Sequence, residues 1–258
     1  MRYVGSAILL AWVCATGVCA TGVYATTAAL AADRAVHLEV PSPVRKDIAA
    51  MPRIADPADD AERRINTALK HLDLNVLKAS RNCQGGDWTR SVDVPMSGPA
   101  FLSLTITDSV DCDGNAHPDS GTFSIVYDLA SGSPVDWTRL LPASLTGTMA
   151  LEEQGDGTKV VTLASKRLFQ LYMAGYRAGD AQSSDLEECK QALLGEATDG
   201  PPGMMVWLDA KAGGLAVQVG LAHVEKACEE PVIIPAAALR AEGAQPALLK
   251  AFDTQPHK

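Results

Sequence analysis

The sequence of 258 residues lacks the short motifs that mark several common catalytic sites. It contains no G-x-S-x-G, H-E-x-x-H, P-loop or dinucleotide-binding fingerprint, and none of its six cysteines belongs to a C-x-x-C pair. Those motifs hold a nucleophile, zinc ligands, phosphate-binding amides or redox thiols at fixed spacings. We therefore predict a non-enzymatic protein, and we assign it no catalytic residue, no cofactor and no metal.

The chain also lacks an excess of positive charge. It has 22 basic and 31 acidic residues, which gives a formal net charge of −9 at pH 7. Nucleic acids and anionic membrane surfaces are bound mainly through Lys and Arg, so the balance argues against both as partners. It permits a cationic partner.

No charged residue occurs between Arg2 and Asp33. This stretch contains an apolar run at Ala7–Val13 and a small-residue A-x-A cleavage site at Ala29–Ala31. The pattern predicts a signal peptide over residues 1–31, an exported chain that is periplasmic or secreted, and no stable membrane insertion after its removal. The alternative is an uncleaved membrane anchor, because the uncharged stretch is long enough to span a bilayer.

Four cysteines would remain after cleavage of the signal peptide: Cys83, Cys112, Cys189 and Cys228. An even number in an exported protein indicates two disulfide bonds, for which three connectivities exist. We favour the sequence-local pairing, Cys83 with Cys112 and Cys189 with Cys228.

The hydrophobic periodicity predicts an α+β fold in which amphipathic helices pack on an antiparallel β-sheet. The first helix is predicted over residues 57–76, with Asp56 as N-cap and Pro57 at the first helical position. A second helix is predicted over residues 160–176. Alternating segments predict strands at residues 36–40, 88–94, 101–107, 123–127, 204–208, 215–221 and 232–234.

Three blocks of the sequence resemble the extracytoplasmic domain shared by the RsiV-like anti-sigma factors and the PdaC-like peptidoglycan deacetylases. The blocks are Met51–Asn66, Phe101–Leu140 with its Gly114–Pro118 segment, and Gly214–Pro235. The resemblance implies the fold and a cell-envelope setting. It divides the mature chain into an N-terminal α/β segment (32–99), an RsiV-like C-terminal domain (100–242) and a tail (243–258). The catalytic module of the deacetylases, with its metal-binding Asp and His-x-x-x-His motifs, has no counterpart here.

The candidate binding residues lie in the polar loop between two predicted strands: His117, Asp111, Asp113 and Asn115. A histidine beside carboxylates suits general base chemistry or metal binding, whereas the alternative is a loop histidine that fixes the end of a hairpin. The spacing of Gly114 fails the EF-hand pattern, which requires glycine at the sixth position.

Other polar and aromatic residues receive structural interpretations. The pairs Glu152–Glu153 and Glu229–Glu230 are expected to be solvated charges. The aromatic residues Trp88, Trp137, Tyr172 and Trp207 are expected to pack in the core rather than stack on sugars.

The leading functional hypothesis is an exported, non-enzymatic binding protein that recognises a cell-wall component or a cationic envelope enzyme such as a lysozyme. In RsiV-like proteins the domain serves as a receptor for lysozyme, and the resemblance extends that expectation to this chain. The alternative is a peptidoglycan- or glycan-acting hydrolase or deacetylase that uses His117 and neighbouring aspartates.

Overall fold

The structure is a computed structural model that describes residues 36–83, 85–113, 118–177, 183–221 and 223–253. Within these residues the α-helices are α1 (Asp60–Asn82), α2 (Ala143–Thr146), α3 (Lys166–Gly175), α4 (Ser183–Glu196), α5 (Ala236–Glu242) and α6 (Pro246–Asp253). Short 3-10 helices cover Trp137–Arg139 and His223–Cys228. The strands are β1 (Leu38–Glu39), β2 (Arg53–Ile54), β3 (Asp87–Ser97), β4 (Phe101–Asp111), β5 (Asp119–Asp128), β6 (Ser133–Pro134), β7 (Thr148–Glu153), β8 (Lys159–Ala164), β9 (Met204–Asp209), β10 (Gly214–Val219) and β11 (Val232–Pro235). The predicted α+β fold is confirmed.

The first large sheet has the strand order β3-β4-β5-β6, and helix α1 packs on one of its faces. Alternation along β4 places Leu102, Leu104 and Ile106 on the buried face. Helical spacing places Ile65 and Leu69 of α1 against them. This face of the sheet and the helix therefore form one apolar core.

The second sheet has the order β11-β10-β9-β8-β7, and every pairing in it is antiparallel. All residues of β10 are buried, since helices cover the sheet. Leu168 and Tyr172 of α3, Leu193 of α4, Leu239 of α5 and Leu248 of α6 are fully buried in this core.

The two sheets are joined along one edge of β9. Strand β8 pairs with β9 only at Met204, so the remainder of that edge needs other partners. Three bonds from the first sheet supply them: Ser124 Oγ donates to Val206 O at 3.1 Å, Leu208 N donates to Ser103 Oγ at 3.2 Å, and Ala210 N donates to Pro95 O at 3.0 Å. Alternate residues of a strand direct their backbone N–H and C=O groups to the same edge. The three contacts therefore lie in one row along this edge of β9.

A buried ion cluster fastens β3 to β4 and to the turn between β7 and β8. Arg90 donates to both carboxylate oxygens of Asp108, at 2.7 and 2.5 Å, and to Asp156 Oδ2 at 2.8 Å. The side chains of Arg90 and Asp156 have no exposed surface. Burial alone would lower the pKa of Arg90, but the hydrogen bonds and charges of Asp108 and Asp156 together raise it.

Both disulfide bonds follow the sequence-local pairing. Cys83 is bonded to Cys112, which links the end of α1 to the end of β4. Cys189 of α4 is bonded to Cys228 at the end of the 3-10 helix His223–Cys228.

The predicted start of the first helix is wrong. Asp56 has a positive φ of 47° and precedes the helix, and Asp59 is the N-cap instead. Asp59 accepts a hydrogen bond from Glu62 N, and Glu62 accepts one from Ala58 N, which is a reciprocal capping arrangement. The helix also continues to Asn82, beyond the predicted end.

The helix predicted over residues 160–176 is wrong in its first part. Residues Lys159–Ala164 form strand β8, and the helix begins after Ser165, whose side chain accepts from Leu168 N. The β-branched residues Val160, Val161 and Thr162 favour a strand. They follow a Gly-Asp-Gly turn that permits a hairpin with β7, which the sequence analysis did not predict.

Most of the remaining elements are confirmed. Strands β3, β4 and β5 are antiparallel neighbours that extend further than predicted. Strands β9 and β10 form the hairpin predicted around Gly213–Gly214. The strand predicted at residues 36–40 is limited to β1, which pairs with β2.

Candidate functional site

Two adjoining hollows form an acidic groove on the surface of the second sheet. The first has a volume of about 520 Å³ and is lined by α4 and by Glu225 of the 3-10 helix His223–Cys228. The second has a volume of about 330 Å³ and lies beside β7, β8 and the end of β10. Glu196 lines both hollows, so they adjoin at this residue. The carboxylates of the acidic groove are Glu152, Glu187, Glu188, Glu196, Glu225 and Glu229.

Helix α4 contributes to the groove because its apolar side faces the core. Cys189 and Leu193, one turn apart, are buried, and Cys189 is held by its disulfide bond. The side chains of Glu187, Glu188 and Glu196 consequently face solvent. The helix thus presents its acidic side to the groove.

Glu229 is the carboxylate of the groove with the most unusual surroundings. Its side chain is half-buried, and Leu221 N donates to its Oε1 at 2.7 Å. Burial raises the pKa of Glu229, although the hydrogen bond from Leu221 and the charge of Lys226 oppose the rise. Among the described residues Glu229 has no ion-pair partner within 4.0 Å.

Tyr172 of α3 and Tyr176, which follows the end of that helix, hold the backbone on both sides of Glu229. Tyr176 donates its hydroxyl to Cys228 O at 2.9 Å, and Tyr172 donates to Glu230 O at 3.0 Å. These buried contacts fix the residues on either side of Glu229, whose own side chain lines the groove.

Among the lining residues that the structure describes, Lys226 is the one basic residue of the groove. Its Nζ donates to Asp119 Oδ1 at 2.5 Å and to Ser120 O. The charge of Lys226 is therefore already opposed by Asp119 at the start of β5. The groove as a whole keeps an excess of negative charge.

Glu229→Gln is expected to raise the free energy of unfolding at pH 7, because the variant removes a partly desolvated charge and keeps an acceptor for Leu221 N. A raised folded-state pKa means that the folded protein holds the proton more tightly than the unfolded chain does. The free energy of unfolding of the parent protein should therefore rise relative to that of the variant as the pH falls from about 7 to about 4, through the raised pKa. Denaturant unfolding at both pH values measures the difference. A similar gain for Glu39→Gln, at an exposed carboxylate of β1, would contradict this explanation.

The residues selected from the sequence lie elsewhere or outside the described part of the chain. His117 and Asn115 fall outside the described residues. Asp111 is exposed at the end of β4, opposite Asp87, and Asp113 is exposed in the following turn. Neither aspartate lines the acidic groove, so their predicted binding role stays a prediction.

The interpretation of the two Glu-Glu pairs as solvated charges is wrong for Glu229, which is half-buried and hydrogen-bonded. Core packing is confirmed for three of the four aromatic residues: Trp137, Tyr172 and Trp207 are buried. Trp88 is partly exposed and donates its indole N–H to Asp108 Oδ1 at 3.2 Å.

Two further properties of the described residues concern membranes and metals. No described helix combines the length and the apolar composition needed to cross a bilayer. No group of three or more His, Cys, Asp or Glu side chains among these residues is arranged to hold a metal ion.

Comparison with known proteins finds no matching family model and no matching curated protein. Among solved structures, a DUF3298 family protein from Pseudomonas aeruginosa is similar, with a TM-score of 0.49 and 11% identity over 84% of this chain and 97% of that one. A DUF3298 member from Bacteroides fragilis has a TM-score of 0.42 and 13% identity over 78% of this chain and 75% of that one. The structural neighbours are thus DUF3298 family proteins, and the RsiV/PdaC-like assignment stays a prediction.

Proposed function

We propose that this chain is an exported, non-enzymatic binding protein of the cell envelope, and that its acidic groove receives a cationic partner. The observation that carries the proposal is the set of six groove carboxylates, with Lys226 already engaged by Asp119. A lysozyme-like enzyme has the required positive charge and acts in the envelope. An amine-bearing cell-wall fragment is the smaller candidate of the same charge.

The state of Glu229 adds a second argument for a cationic ligand. A half-buried carboxylate is less well solvated than an exposed one, which is why its pKa is raised. An ammonium or guanidinium group placed in the groove would compensate that loss by a charge-assisted hydrogen bond. The groove is therefore expected to bind a cation more tightly than a neutral ligand.

Two disulfide bonds support export. Such bonds form and persist in oxidising compartments such as the periplasm and the extracellular space. Together with the predicted signal peptide over residues 1–31, they favour a periplasmic or secreted protein.

The test is binding of the mature protein to a cationic c-type lysozyme. Glu188→Lys with Glu196→Lys reverses two exposed charges of the groove and is expected to weaken binding at least about tenfold, since like charges then face each other. Glu39→Lys with Asp93→Lys makes the same change in net charge at exposed positions outside the groove, and should retain most of the affinity. Calorimetric titration at low and high salt measures both, and binding should weaken as salt increases.

Equal losses in the two double variants would show that only net charge matters, which would overturn the groove as the binding site. Failure of the parent protein to bind or inhibit the lysozyme would remove that enzyme as the partner. Release of soluble fragments from purified peptidoglycan by the parent protein alone would instead favour the hydrolase alternative, in which His117 and nearby aspartates act.

A further inference from the structure

A separate cavity of about 380 Å³ lies between α1, β5 and the β7–β8 hairpin. Its volume falls in the range of about 300–1,000 Å³ that small-molecule sites occupy. Its walls are mainly apolar and include Leu72, Ile125, Tyr127, Trp137, Leu151 and Val160. The cavity shares Val160 with the acidic groove, while Leu151 and Glu152 project to opposite faces of β7 toward the cavity and the groove respectively.

Two hydroxyl groups in the cavity wall have no partner among the described residues. Tyr127 and Thr158 are each only 3% exposed. Thr158 Oγ1 is buried without a hydrogen bond, and the Tyr127 hydroxyl donates to none of the described residues. Burial raises the pKa of Tyr127 to about 12. Thr158 Oγ1 has almost no accessible surface, so the Tyr127 hydroxyl is the one of the two that can donate a hydrogen bond to a ligand in the cavity.

The one charged residue among the described residues that line the cavity is basic. Lys159 lines the cavity beside Thr158, and the described lining residues include no Asp or Glu. Lys159 approaches Glu153 at 4.0 Å, but both side chains are more than half exposed and such a pair contributes little. His71 also lines the cavity. A ligand with an anionic group is therefore favoured.

We propose that this cavity binds a small anionic amphiphile, a carboxylate with an apolar chain. The chain would pack against Leu72, Val160 and Trp137, while the carboxylate accepts from Tyr127 and faces Lys159. The acidic groove cannot serve this ligand, because its carboxylates repel an anion. The cavity is thus a second binding site that is independent of the proposed partner site.

The test uses 11-bromoundecanoate, whose bromine quenches nearby tryptophan fluorescence. Because Trp137 lines the cavity, we expect saturable quenching below the aggregation concentration of the probe, and Trp137→Phe should remove most of it. A bromoalkyl trimethylammonium of the same chain length should bind at least about tenfold more weakly. Non-saturable quenching, or equal binding of the two probes, would overturn the proposal.

Matched variants separate specific binding from general adsorption. Tyr127→Phe keeps the ring and removes one donor, and is expected to weaken carboxylate binding about tenfold, the effect of a hydrogen bond to a charged group. Lys159→Glu should weaken it further, whereas Lys211→Glu, an exposed position outside the cavity, should leave the affinity within twofold.

A cavity-filling variant provides a measurement that does not depend on the carboxylate. Ala68→Phe should occlude the cavity, and Ala79→Phe makes the same change elsewhere on α1. Loss of quenching in the first variant alone supports the site, and unchanged quenching in both places the probe elsewhere. Binding to anionic phospholipid vesicles without binding of the free carboxylate would also overturn the proposal.

Discussion

Arg90→Met is expected to lower the free energy of unfolding by about 3–5 kcal/mol, because it leaves two carboxylates buried without their shared cation. Arg90 contacts Asp108 and Asp156 in the structure, and Asp156 is fully buried. Methionine preserves much of the apolar packing of the arginine stem, so the loss reports chiefly on the ion cluster. Equilibrium unfolding in urea measures the change.

Arg63→Met is the matched control. Arg63 pairs with Asp60 one turn away on the exposed side of α1, and both side chains are more than half exposed. Exposed pairs of this kind contribute about 0–1 kcal/mol. If Arg90→Met costs no more than Arg63→Met, the buried cluster does not stabilise the junction of β3, β4 and the β7–β8 turn as the structure indicates.

The elements that the sequence predicted well are those with strong local signals. The β9–β10 hairpin follows from two apolar runs separated by Gly213–Gly214, and the apolar spacing of Ile65, Leu69 and Leu72 indicates α1. The start of α1 was misassigned because Asp56-Pro57 and Asp59 both fit the start of a helix. Only the tertiary structure shows that Asp59 caps it.

The second predicted helix illustrates the opposite case. Val161, Ala164, Leu168 and Leu171 recur at helical spacing, yet the first two belong to β8. Pairing with β7 satisfies the backbone hydrogen bonds of this segment. The sequence analysis did not predict β7, whose residues are all exposed. Long-range pairing outweighed local periodicity.

The acidic groove could not be read from the sequence because its carboxylates come from three separate segments, β7, α4 and the 3-10 helix region. One sequence inference contained part of the information. The predicted Cys189–Cys228 bond places Glu187 and Glu188 near Glu225 and Glu229. The hydrogen bond that Glu229 accepts from Leu221 N involves a residue that no spacing rule would link to it.

Cys189→Ala with Cys228→Ala is expected to lower the free energy of unfolding by about 4 kcal/mol. The bond closes a loop with a sequence separation of 39 residues, and cross-links of that span remove conformational entropy of about this size from the unfolded chain. Because the bond also ties α4 to the 3-10 helix, its removal should widen the acidic groove and weaken binding of a cationic lysozyme.

The other disulfide bond provides a control of nearly equal cost. Cys83→Ala with Cys112→Ala opens a loop with a sequence separation of 29 residues, for which the same relation gives about 3.5 kcal/mol. That bond lies at the junction of α1 and β4, away from the groove lining. Unfolding in urea should show similar losses for both double variants, and titration with the lysozyme should show weaker binding only for the Cys189 and Cys228 pair. If both variants lose affinity equally, general destabilisation rather than groove geometry controls binding, because only one of the two bonds joins elements of the groove.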